Sequence, residues 1–119
     1  MESRTARIHL AIARTDTTFA PAPVPARGTS PARTALRGRC FYCDTPLWLE
    51  EDGRMITEVT IEHVLPRVRG GTDAIENLAL ACRRCNQEKG RRHDGKKGAR
   101  ADEVIAAAVA RRAARWKAP

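Results

Sequence analysis

Four cysteines and a short stretch of acidic, imidazole and amide side chains hold most of the chemistry this sequence can offer. Cys40 and Cys43 form one Cys-x2-Cys pair, Cys82 and Cys85 form another, and the chain has no other cysteine. Two such knuckles can give four thiolates to one tetrahedral Zn2+, with sulfur–metal distances of about 2.3 Å. A redox pair or buried free thiols are the alternatives, and neither accounts for two matched pairs. Four thiolates leave no open coordination position, so this zinc is expected to be structural rather than catalytic. The reactive groups should then lie in the long insert between the knuckles. There Glu62 offers a hard anionic oxygen to a divalent cation such as Mg2+ or Mn2+, and Asn86, just past the second knuckle, can add an amide oxygen. His63 can act as a base, because an unperturbed imidazole titrates near pH 6.5 and stays largely neutral at cellular pH.

These side chains need elements to carry them. Leu47, Trp48 and Leu49 predict a short strand, Glu51-Asp52-Gly53 a turn, and Met55 to Ile61 a returning strand in which Val59 and Ile61 share one face. Adjacent residues on a strand point to opposite faces, so Glu62 and His63 can meet one substrate only if the strand ends or twists there. Pro66 is consistent with that end, and Gly70-Gly71 predicts an irregular excursion before a second extended segment, Leu78 to Leu80. Arg83 to Arg92 then predicts a helix with Asn86 in its first turn and Lys89 about one turn later. A last helix, capped by Asp102, should place Val104, Ile105, Ala108, Val109 and Trp116 on or near one side and Arg111, Arg112, Arg115 and Lys117 on the other.

Thr60-Ile-Glu-His-Val-Leu-Pro-Arg67, Gly70-Gly-Thr-Asp73, Glu76-Asn-Leu78 and Cys82-Arg-Arg-Cys-Asn-Gln-Glu-Lys-Gly90 follow one another between and across the knuckles. In order and spacing they resemble the HNH endonuclease family, of the ββα-metal type, in its zinc-stapled four-cysteine form. The resemblance covers residues 40 to 90. It implies a small α+β domain, a ββα-metal finger with a structural four-cysteine zinc site and an additional C-terminal helix. It further implies that His63 activates water for phosphodiester hydrolysis, that Glu62 and Asn86 hold the catalytic ion, and that Asn77 orients the loop carrying His63. Duplex DNA, nicked or cleaved with weak sequence preference to leave 5′-phosphate and 3′-hydroxyl ends, is the implied substrate. Glu62 stands where the family often has Asp, and Asn86 where it often has His.

The chain has 22 Lys+Arg against 14 Asp+Glu, a net charge of +8, so it attracts polyphosphates. Arg67, Arg69, Arg84, Lys89, Arg91 and Arg92 surround the matched elements and are the candidate DNA contacts. A non-catalytic zinc-containing nucleic-acid-binding module is the rival reading, and a nuclease subunit of a phage packaging or restriction assembly is a third. No apolar run approaches the roughly 20 residues a membrane span needs. The best signal-peptide candidate, Ile8 to Ala13, is broken by His9, so a cytoplasmic protein with reduced cysteines is expected. Only 4% of residues are aromatic, which leaves a small core in need of a staple. Two regions follow: a flexible basic Pro/Ala-rich arm over 1–38, broken by Pro21, Pro23, Pro25 and Pro31, and a nuclease domain over 39–119. Arg7 to Arg14 in the arm has the spacing of a short helix or strand that docks on the body.

Overall fold

The computed structural model describes residues 3–25, 28, 33–89 and 98–119. Helix α1, Arg4–Arg14, starts where the Ser3 hydroxyl accepts the Ala6 amide at 2.9 Å. It ends at Thr15, whose own hydroxyl donates back to the Ala11 and Ile12 carbonyls, closing the last turn. Its apolar stripe buries Ala6, Ile12 and Ala13. Three strands follow, β1 (Ala20–Pro23), β2 (Thr34–Arg39) and β3 (Pro46–Leu49), joined as an antiparallel sheet in the order β1-β2-β3. The prolines of β1 sit on an edge strand, where a missing amide interrupts no inner ladder.

Of the span expected to be a flexible arm, 1–38, the described residues form α1, β1 and most of β2. Ile12 and Phe19 lie in one core with Leu47, Leu49, Val59 and Leu80. Burying each such side chain is worth about 1.5–3 kcal/mol, which holds α1 against the body. The boundary drawn at residue 39 also falls at the end of β2, whose Leu36–Arg39 pair with β3.

The expected hairpin between 47 and 61 forms only in part. Leu49 bridges Met55, but the Ile56 and Thr57 amides both bond the Trp48 carbonyl, and the Thr57 hydroxyl takes the Trp48 amide at 3.0 Å. A side chain thus replaces the ladder carbonyl and pairing stops. The returning strand is only β4, Thr60–His63, and it pairs antiparallel with β5, Leu78–Ala81. Helix α2, Arg83–Lys89, follows β5 and packs on β4, completing a ββα unit. The four-cysteine cluster and the C-terminal helix α3, Ala99–Arg115, complete the expected mixed architecture.

Asp102 lies in the first turn of α3 rather than at its cap, which is Gly98, and its carboxylate pairs with Arg69. The side expected to be basic is not wholly solvated. Arg112 is 2% exposed and donates to the Thr15 carbonyl and hydroxyl and to the Ile75 carbonyl. Burial pushes its pKa down, opposed by the charges of Asp16 and Glu76. Arg111 and Arg115 lie over the Phe41 ring, and Lys117 bonds the Phe19 carbonyl. Strand-like contacts between residues 15–17 and 115–117 lace α1 to the end of α3. Among the described residues no helix is long and apolar enough to cross a membrane.

Candidate active site and metal centre

The first knuckle is a tight turn in which the Cys40 amide bonds the Thr45 carbonyl and Asp44 takes φ 62°. The second lies at the start of α2, and the Phe41 amide bonds the Leu80 carbonyl to join the two. All four sulfurs lie within 4.8 Å of one another, and Cys43 Sγ is 3.8 Å from Cys82 Sγ. A tetrahedron with metal–sulfur bonds of about 2.3 Å has an edge of about 3.8 Å, so the donor set fits a zinc ion in size and softness. The Cys40 sulfur also accepts the Tyr42 and Cys82 amides. The Thr45 hydroxyl and amide hold Cys43 down to about 6. Burial and the neighbouring Cys82 and Cys43 thiols push Cys85 up, and burial pushes Cys40 up. Closely packed thiols resist becoming four thiolates without a cation among them.

The loop from β4 to β5 is shaped by Asn77. Its side-chain oxygen accepts the Leu65 amide at 2.8 Å, and its amide group donates to the Leu65 and Thr72 carbonyls at 3.0 and 2.8 Å. One side chain thus clamps both ends of the excursion, with the Val64 amide on the Asn77 carbonyl as a further tie. Gly71 is required here, because a Cβ would stand 1.7 Å from the Leu65 carbonyl oxygen. The chain doubles back through a 3-10 turn at Arg67–Arg69.

β4 stops at His63, as the sequence requires, but its last two side chains keep the alternation of a strand. Glu62 is 3% exposed and pairs across to Ala79, in the cluster of Phe41, Val64 and Ala108. His63 faces a groove of about 500 Å3 on the α1 side. Asn86, half-buried, rides on the helix that packs on β4. Asp73, to which the sequence assigns no role, lies 2.7 Å from His63 Nε2, and the same carboxylate oxygen accepts Arg67 Nη2 at 2.6 Å. Arg67 Nε is 3.4 Å from the same ring nitrogen. One nitrogen cannot both donate to Asp73 and accept from Arg67. The shorter contact decides: Nε2 carries the hydrogen, and the lone pair of a neutral ring is on Nδ1. The bond to His63, with the Arg67 charge, pulls the Asp73 carboxyl below its usual range. The contact therefore persists above that lowered value and is lost only as pH falls through it.

The candidate DNA contacts divide. Arg67 is exposed but engaged by Asp73, and Arg69 is held by Asp102 of α3. Arg84 is exposed on α2. Lys89 ends that helix, its side chain outside the described set, and Arg91 and Arg92 lie outside the described residues. His9, which has no partner legible in the sequence, is buried with Nδ1 3.0 Å from the Gly53 carbonyl. Gly53, at φ 92°, permits that approach, since a Cβ would stand 2.0 Å from the Ala6 carbonyl oxygen.

A family model described as HNH endonuclease matches residues 40–101. This chain belongs to the HNH endonuclease family. The HNH segment contains all four cysteines, Glu62, His63, Asn77 and Asn86, whereas α1, β1 and β2 lie outside it. The CRISPR-associated endonuclease Cas9 of Corynebacterium diphtheriae is 36% identical over 53 residues, which are 44% of this chain and 4% of that protein. This chain thus corresponds to a small part of that curated relative. No solved structure matches. Membership of the HNH family implies nuclease chemistry on nucleic acid, and the cysteine cluster is a candidate structural metal site within the matched segment.

Proposed function

We propose that this chain is a metal-dependent endonuclease that hydrolyses phosphodiester bonds of duplex DNA, nicking with weak sequence preference. The observation that carries the reading is the order Glu62-His63, Asn77, Asn86 within a matched HNH segment whose Asn77 clamps the loop after His63. His63 takes the proton of the attacking water, through Nδ1 while Asp73 holds Nε2. Asn77 keeps the loop from drifting and so keeps the imidazole at the mouth of the groove. Glu62 and Asn86 supply hard oxygens suited to Mg2+ or Mn2+. Such an ion, when bound, stabilises the charge that develops on the phosphoryl group and the departing 3′ oxygen. Because Glu62 and His63 occupy opposite faces of β4, the scissile phosphate must lie across the end of that strand. The four cysteines hold zinc, which ties the first knuckle to the start of α2 at one end of the ββα unit.

His63→Ala separates this from a binding-only module. Supercoiled-plasmid nicking with Mg2+ or Mn2+ should fall by about 10²–10⁴-fold, while melting temperature and duplex affinity stay at wild-type values. A wild-type chain that binds duplex but nicks with no divalent metal overturns the proposal.

A further inference from the structure

We infer that α1, which lies outside the matched segment, forms one wall of the DNA groove, and that Arg4 on it binds a backbone phosphate beside the one at His63. The inference rests on reading the His63 groove as the cleavage site. Arg4, Thr5 and Ile8 line the groove together with His63, Arg67 and Asp73. The Asp73 carboxylate in this groove already holds both Arg67 and His63. Arg4 has no ion-pair partner among the described residues, and it adds a positive charge to the groove. A nuclease cleft needs such charge, since phosphate contacts dominate affinity for a duplex. Thr5 offers a hydroxyl donor of the kind that fixes backbone register.

The fold gains nothing evident from Arg4. It stands in the first turn of a helix with no acidic residue there, where a cation opposes the macrodipole. Nor is its position that of a loose terminus. Ser3 caps the helix, Ile12 and Ala13 are buried, and His9 is tied to Gly53. The body therefore holds Arg4 at the groove, and DNA meets a preset cation.

The test uses the full zinc-loaded chain carrying His63→Ala, so that binding to a 25-base-pair duplex of about that length, a size exceeding one helical turn, is read without cleavage. Adding Arg4→Ala should weaken binding several-fold at low salt and lower the slope of log K against log salt by about 1. Arg4→Glu should weaken it further, and Arg4→Lys should restore most of it. Arg14→Ala, on the same helix but not in the groove, should leave the slope unchanged, and all variants should melt with the parent. In the active chain Arg4→Ala should raise KM for plasmid and leave kcat near wild type. An unchanged affinity and slope for Arg4→Glu, or an equal loss for Arg14→Ala, overturns the inference. Nicking that persists in that event leaves the nuclease reading standing. Arg4-dependent binding by a wild-type chain that never nicks does the reverse.

Discussion

The cysteine cluster and the His63 groove lie at different ends of the same ββα unit and are built on opposite plans. In the first, four like donors from two local turns already stand within 4.8 Å of each other. In the second, unlike groups come from α1, the end of β4 and the following loop, and two key side chains occupy opposite faces of one strand. A site that holds an ion closed can be written in short repeated spacing. A site that must admit a substrate borrows its walls from distant parts of the chain, so its local motif is only half of it.

The contrast is broken most severely by taking the ion from the cluster. Structural zinc is worth about 10–16 kcal/mol in small zinc-dependent peptides, more than a small core supplies. Chelation, or Cys82→Ser, should therefore abolish the cooperative near-UV circular dichroism melt. A metal-free chain that melts like the loaded one would deprive the cluster of its scaffolding role. A smaller break is Arg112→Ala, which takes one of two donors from each of the Thr15 and Ile75 carbonyls, the Lys117 and Leu78 amides remaining. It should lower stability by about 1–3 kcal/mol, read as a shifted urea midpoint with metal still bound; nicking by the folded fraction should hold. Asn77→Ala sharpens the contrast at the groove. It should cost about 1–3 kcal/mol, expose the Leu65 amide to hydrogen exchange, and reduce nicking beyond the loss of folded protein, with the cysteine cluster intact.

How much was legible follows the same division. The knuckles, β5, the start of α2 and α3 follow from spacing and periodicity, because each is a local pattern. The end of β4 at His63 was legible from the chemistry that needed it. The extent of the hairpin was not: Thr57 diverts the ladder with its hydroxyl, a competition that hydrophobic alternation does not register. The role of residues 4–23 was hidden by prolines, which exclude inner strands but leave edge strands open. Arg69 and Arg112 look like solvated cations in sequence. Asp102 in the one case, and the Thr15 and Ile75 carbonyls in the other, meet them only through tertiary packing.

The lacing of residues 15–17 to residues 115–117 bears on how such a nuclease could be moved between proteins. Excising only the recognisable 40–101 window would strip Ile12 and Phe19 from the core and remove Arg112 together with its partner Thr15. The transplant would keep every motif letter and lose the clasp that holds the flanks together. A functional graft into a fusion partner must carry both flanks, because each is held in place by the other.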